Sequence, residues 1–189
     1  MIFLNISNYS TKTLIMQKFI SFLSLFIMVF TMQSCLQKKQ PTEAITQISE
    51  IDLLISDWHE AAAEANFENY FEMMDEDFVF VGTDASEHWN KAAFATYSKP
   101  HFDKGKAWKF ITLKRNIYHD STSNYAWFDE ILDTSFKICR GSGVLKRDSL
   151  GVWKFKQYVL SMTVPNEKAK EVVQLKDSLE TKMIENLKK

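Results

Sequence analysis

The sequence predicts an α+β domain in which helical segments come first, long antiparallel strands follow, and a charged helix closes the chain. Three observations carry this. Apolar residues recur at three- and four-residue spacing from Ile45 to Ala65, four β-rich segments joined by short turns lie between Trp108 and Val164, and "NEKAKEVVQLKDSLETKMIENLKK" after Pro165 is dense in charge with one narrow apolar stripe. With 46% hydrophobic and 14% aromatic residues among 189, one domain can bury a real core.

The chain begins with a segment that reads as an export signal. Residues 1–34 hold no Asp or Glu and only Lys12 and Lys18 as basic residues, and the apolar run "FISFLSLFIMVFTM" is shorter than the roughly 20 residues of a spanning helix. Met16 opens a complete signal by itself, so residues 1–15 read as an extension from a misassigned start. The run ends in "MQSC", where small Ser34 before Cys35 resembles the lipobox of bacterial lipoproteins, in which the cysteine is lipidated. Residues 35–44 then form a lipidated cysteine and polar tether. "LQKKQ" carries no acid after the cysteine, which points to an outer-membrane lipoprotein facing the periplasm. Losing the signal turns 23 basic residues into 21 against 24 acidic ones, a net charge of −3 that gives nucleic acid no basic surface. With Cys35 assigned, Cys139 has no disulfide partner and reads as a small buried strand residue.

The first helix, Ile45 to Ala65, carries Ile48, Ile51, Leu54, Ile55, Trp58, Ala61, Ala62 and Ala65 on one stripe, with His59 at its edge. Asn66 caps a short second helix, "FENYFEMM". "DFVFVG" is a strand. In "DASEHWNKAAFATYSKP" the Asp84 and Glu87 spacing is that of a capping box, so a third helix is expected from there to about Ser98, stopped by Pro100. The β segments "WKFITLKRNIY", "YAWFDEILD", "KICRGSGVLKRD" and "VWKFKQYVLSMTV" then form a meander. In the last one Trp153, Phe155 and Val159 share one face and Tyr158, Leu160 and Met162 the other, so both faces are expected to be partly covered.

"YAWFDEILD" poses the functional question, because neighbouring Asp129 and Glu130 must point to opposite faces. An even loop at Thr134-Ser135 pairs Asp129 with Arg140, Trp127 with Ser142 and Ile131 with Ile138, whereas an odd loop pairs Glu130 with Arg140. The even loop is the expectation. It groups Tyr125, Trp127, Asp129, Arg140 and Ser142 on one face, a pocket-like mix of rings and polar groups, and leaves Ala126, Phe128, Cys139, Gly141 and Gly143 on a close-packed face. Asp129 opposite Arg140 would have a lowered pKa, which suits a fixed acceptor better than a base.

The stretches "FVFVGTDASEHW", "YAWFDEIL" and "CRGSGVLKRDSLGVWKFKQYVLSMTVPNE" resemble the SnoaL-like branch of the nuclear transport factor 2-like superfamily, over about Ile48 to Glu167. The resemblance implies a SnoaL-like domain over 45–166, followed by a tail helix over 167–189. Its fold would be a cone-shaped curved antiparallel sheet wrapped on three N-terminal helices, with a pocket at the open end. Trp58, Tyr70, Trp89, Phe94, Tyr97, Trp127 and Tyr158 come from segments that surround the cone interior, and they either line a hollow or fill it. The superfamily includes isomerase-like and cyclase-like enzymes, scaffolds and exported proteins, so it implies a pocket and no particular reaction.

No nucleophile elbow, phosphate loop or dinucleotide fingerprint is present, and His59, His88, His101 and His119 lack ligand spacing, so no metal or cofactor is expected. The expected function is binding of a small, mostly apolar or aromatic molecule by Trp58, His59, Tyr70, Trp89, Tyr97, Trp127, Asp129, Arg140 and Tyr158, with Trp127, Asp129 and Arg140 orienting its polar end. Two alternatives stand beside it. One is an isomerase, cyclase or dehydratase using His59, Asp84 or Asp129 as general base; the other is an interaction module with a filled cone that forms a homodimer through the sheet, or pairs through the tail helix.

Overall fold

In the computed structural model the described residues are 41–189. The expected signal peptide, Cys35 and the tether as far as Gln40 lie outside them. Helices α1 (Pro41–Ala63), α2 (Phe67–Glu72) and α3 (Lys91–Phe102) precede most of the sheet, and α4 (Ala169–Leu187) ends the chain. Strands β1 (Met74–Val81), β2 (His88–Asn90), β3 (Ile111–His119), β4 (Tyr125–Thr134), β5 (Lys137–Arg147) and β6 (Trp153–Met162) form one curved sheet in the order β2-β1-β6-β5-β4-β3. All neighbours are antiparallel except β1 and β6, which run parallel.

Helix α1 buries Ile51, Ile55, Trp58, Ala61 and Ala62 of the expected stripe, with Leu54 and Ala65 partly buried and Ile48 exposed, and buries His59 with them. Asn66 caps α2 by accepting from the Asn69 amide at 3.1 Å. The capping-box reading of Asp84 and Glu87 is corrected. Only half of that box forms: Asp84 N–H donates to Glu87 Oε2 at 3.1 Å, but the Glu87 amide donates to the Asp84 backbone carbonyl at 2.9 Å while the Asp84 carboxylate accepts from the Ser86 amide at 2.8 Å, and together these bonds close a turn ahead of β2. Helix α3 starts later and is capped by Asn90, whose side chain accepts from the Ala93 amide. Pro100 sits in the last turn of α3 without stopping it. Its ring replaces an N–H, and the helix ends two residues on at Phe102.

The register of β4 and β5 also differs from expectation. The loop is even, but it lies at Ser135-Phe136, so Asp129 faces Ser142, Glu130 faces Gly141 and Ile131 faces Arg140. Thr134 fixes this turn, its hydroxyl accepting from the Phe136 amide at 2.9 Å and donating to Lys137 O at 3.0 Å. Even-numbered β4 residues Ala126, Phe128, Glu130 and Leu132 face the helices and are buried. In β6 a bulge between the pairs Leu145–Phe155 and Val144–Gln157 inserts Lys156, and side-chain parity changes there. Trp153, Phe155, Tyr158 and Leu160 therefore all turn into one core, where the unbroken alternation placed them on two faces.

Helix α4 keeps its stripe uncovered. Leu175 is 78% and Leu179 76% exposed.

Candidate functional site

Glu130, fully buried, is the hub of a charged cluster that links α1 to three strands. Its Oε1 accepts from His59 Nε2 at 2.7 Å and from the Tyr158 hydroxyl at 3.0 Å, and its Oε2 accepts from Arg115 Nε at 3.0 Å. Arg115 Nη1 continues to Asp52 Oδ1 at 2.7 Å and to the Ser56 hydroxyl at 3.0 Å, while Nη2 reaches Thr112 Oγ1 at 3.1 Å. Burial alone would raise the Glu130 pKa, but the hydrogen bonds and charges of His59 and Arg115 outweigh it and hold the carboxyl below its ordinary value. Burial first, and then the Glu130 charge, push Tyr158 well above the usual phenol range, so its hydroxyl stays a donor. An ionised Glu130 has no proton to give, so His59 Nε2 carries the hydrogen. His59 Nδ1 is left buried with no protein partner.

Gly141 creates the room for this cluster. A Cβ there would fall on the Tyr158 hydroxyl and within 2.9 Å of Glu130 Oε1. Gly143 likewise leaves room for the Phe128 ring.

An open concavity lies beside this hub. A cleft of ≈ 240 Å³ is walled by Trp89, Phe94 and Tyr97 on one side and by Trp108, Phe110 and Phe136 on the other, with Glu87, His101 and Ser135 as polar groups. Trp89 and Tyr97 stack at 4.7 Å and 22°. Two of its wall residues touch the interior: Phe110 meets the His59 ring edge-to-face at 5.5 Å, and Trp108 meets Tyr70 at 5.6 Å.

A family model described as "SnoaL-like domain" matches residues 51–165. This chain belongs to that family. Solved structures share the fold of this SnoaL-like domain. An NTF2-like protein of unknown function from Pseudomonas putida KT2440 has a TM-score of 0.53 at 16% identity, covering 64% of this chain and 89% of that one. A candidate dehydratase of the NTF2-like family from Streptomyces avermitilis has a TM-score of 0.56 at 11% identity, covering 65% and 99%. An NTF2-like protein from Cytophaga hutchinsonii gives 0.52 at 14% identity, covering 62% and 98%. At these identities the likeness is one of fold. Comparison with curated proteins returns no match.

The SnoaL-like domain sorts the expected site residues into three groups. Trp89 and Tyr97 line the cleft. Trp58, Tyr70 and Tyr158 are fully buried in a ring stack, with Trp58 4.8 Å from Tyr70, 4.8 Å from Tyr158 and 4.4 Å from Phe155, and His59 lies beside them. Trp127, Asp129 and Arg140 require correction: they still share one face, because the turn's displacement by one residue moves cross-strand partners by two and keeps parity, but the inward choice of Glu130 makes that face the one turned away from the helices. There Trp127 stacks on Tyr118 at 5.8 Å, and Asp129 accepts from Asn116 at 3.0 Å and from the Tyr118 hydroxyl at 3.2 Å. Arg140 is exposed, opposite Ile131 and Ser161. Asp84 is exposed, and the Ser86 hydroxyl and amide lower its pKa.

Sequence reasoning missed Glu130, Arg115, Trp108, Phe110 and Phe136. The signal that points to Glu130 is "RGSG": two glycines spaced by two on β5 leave their space to bulky partners on the same face of β4. Among the described residues no group of His, Cys, Asp and Glu is placed to hold a metal ion. Chemically, the cleft offers flat apolar walls with a few polar groups at the rim. In the His59–Glu130 pair the buried carboxylate fixes the orientation of the imidazole, and neither residue lines the cleft.

Proposed function

We propose that this chain is an exported SnoaL-like domain, anchored through lipidated Cys35 on the periplasmic side, that binds one small, flat, mostly apolar molecule in the cleft between α3 and the 107–110 segment. The observation that carries the reading is the aromatic cleft itself: Trp89, Tyr97, Trp108, Phe110 and Phe136 surround about 240 Å³. That is below the roughly 300–1,000 Å³ of sites for drug-sized ligands, so one or two fused rings fit. Stacked walls favour an aromatic guest, and Glu87, His101 and Ser135 would orient a polar substituent. Equilibrium dialysis with 2-naphthol tests this. Saturable binding that weakens at least about tenfold in Trp89→Ala is expected, and no binding at millimolar concentration refutes it. The Cys35 anchor predicts that wild-type protein partitions into detergent and Cys35→Ser does not; equal partitioning refutes the anchor.

A second reading, a proton-transfer enzyme of dehydratase type, is favoured by the His59–Glu130 pair and by the fold shared with the candidate dehydratase. Here His59 Nδ1 would take a proton from a carbon beside a carbonyl. Turnover of a hydroxylated aromatic ketone, abolished in His59→Gln, would support it over simple binding. A homodimer through the sheet is a further proposal, supported by the uncovered Trp127, Tyr118 and Tyr125 on the outer face.

A further inference from the structure

Two apolar surfaces of this chain stand uncovered, and they match each other. The first is α4. None of its residues is buried, although isolated helices of this length are marginal in water and are held in proteins by packing of an apolar face. At 100° per residue its stripe of Val172, Leu175, Leu179, Met183 and Leu187 is widened by Val173 and Ile184 into an arc of about 180°, running from Leu175 to Ile184. That is broader than the seam of a two-stranded coiled coil and suits a flat partner. With three basic and four acidic residues over 169–187, α4 lacks the cationic face of a helix that lies on lipid.

The second surface is the outer face of the sheet, where Tyr118, Tyr125, Trp127 and Ile138 are exposed and Val144 and Val159 are half-buried. At the centre of each surface sits a pair of opposite charges. On the sheet they are Asp129 and Arg140, on neighbouring strands and two residues apart along the strand direction, since Asp129 faces Ser142 and Arg140 faces Ile131; that offset is about 7 Å. On α4 they are Lys176 and Glu180, paired at 2.8 Å inside the apolar arc and about 6 Å apart along the helix axis. Sign and spacing agree when the helix lies along the strands, with Glu180 over Arg140 and Lys176 over Asp129. Arg140 has no ion-pair partner among the described residues. Length agrees as well: the 19 residues of α4 span about 28 Å and the 10 residues of β4 about 34 Å.

Within one chain the exit from β6 is fixed. The Thr163 amide and hydroxyl both donate to Ile138 O, at 3.2 and 2.7 Å, Pro165 holds φ at −57°, and the Lys168 amide closes a turn on Pro165 O at 2.9 Å. That exit leaves α4 off its own sheet, so the face is open to a helix from another copy. We propose that two copies of this chain exchange α4, each laying the Leu175–Leu179 side of its helix on the outer sheet face of the other around Trp127, with Glu180 of one copy paired to Arg140 of the other. The inference rests on the sheet-mediated homodimer and deepens it, naming α4 as what covers the sheet. The arrangement is isologous, so every contact forms twice and the assembly closes at two copies.

The test is analytical ultracentrifugation of the full chain and its variants, beside thermal melts at a dilution where the wild type is monomeric. Leu175→Glu/Leu179→Glu is expected to weaken the dimer at least about hundredfold, because each lost side chain counts twice in a two-fold assembly, and to leave the melting temperature of the dilute chain unchanged. Arg140→Glu and Glu180→Arg should each weaken the dimer about tenfold. Combining them in Arg140→Glu/Glu180→Arg should return it to within about threefold of wild type. A dimer that Trp127→Glu splits and Leu175→Glu/Leu179→Glu leaves intact overturns the exchange while the sheet-mediated dimer stands. A fall of more than about 4 °C in the dilute melt of Leu175→Glu/Leu179→Glu would show α4 packed within its own chain and overturns the exchange too, as do charge effects that merely add in the combined variant. If wild type is a monomer at every concentration, the sheet-mediated homodimer itself is what has failed.

Discussion

Replacing Glu130 by Gln isolates what the buried carboxylate does. Three donors converge on two oxygens: His59 and Tyr158 on Oε1, and Arg115 on Oε2. Glutamine has nearly the same shape but only one oxygen, so its NH₂ must face either Arg115 or the His59–Tyr158 pair, donor against donor. Removing one partner of a buried charge pair costs about 3–5 kcal/mol. Arg115 still has Asp52, whose side chain is 56% exposed, so part of its charge stays compensated and the lower end, about 3 kcal/mol, is expected. At a denaturation slope of about 1.5 kcal/mol/M this moves the urea midpoint down by roughly 2 M. The pH dependence has a definite sign. The folded pKa of Glu130 lies below its unfolded value, so its contribution is fully present above the ordinary carboxylate range and is lost as pH falls through the folded pKa. The gap between wild type and Glu130→Gln should therefore narrow on acidification. A gap under about 1 kcal/mol at neutral pH, or one that widens in acid, would refute the hub assignment.

Gly141→Ala should destabilise by about 2–3 kcal/mol, because its methyl would press on Tyr158 and Glu130, and a thermal melt reads the loss directly. Lys137 holds φ 67° in the β4–β5 turn, so Lys137→Gly should gain about 0.5–1 kcal/mol in the same assay. Trp127→Glu should leave the melting temperature within about 2 °C, since the side chain is 54% exposed, and should shift any dimer to monomer in analytical ultracentrifugation. A large loss of stability instead would mean that the outer face is covered within one chain.

The alternation of "YAWFDEILD" made it legible that Asp129 and Glu130 face opposite ways. It did not say which way was in. That choice came from residues far along the chain: the space above Gly141, the His59 ring on α1 and Arg115 on β3. Trp127 and Asp129 looked like a pocket face because their composition is that of one, yet the same mix also occurs on an uncovered sheet face. Trp108 and Phe110 were invisible as cleft residues because "AWKF" reads as the start of a strand. Only its position between α3 and β3 brings these rings to the opening.

By itself the sequence determined the class and order of the elements, since periodicity, caps and turns are local and each leaves its mark within a few residues. It also determined the family, through motifs spread along residues 51–165. The tertiary structure alone decided the two-residue placement of the turn at Ser135-Phe136, the parity change at Lys156 and the burial of Glu130. The physical reason is that register and facing are set by which side chains fill the same space and compensate the same charge across the sheet, and such contacts join distant residues, His59 and Glu130 being 71 positions apart.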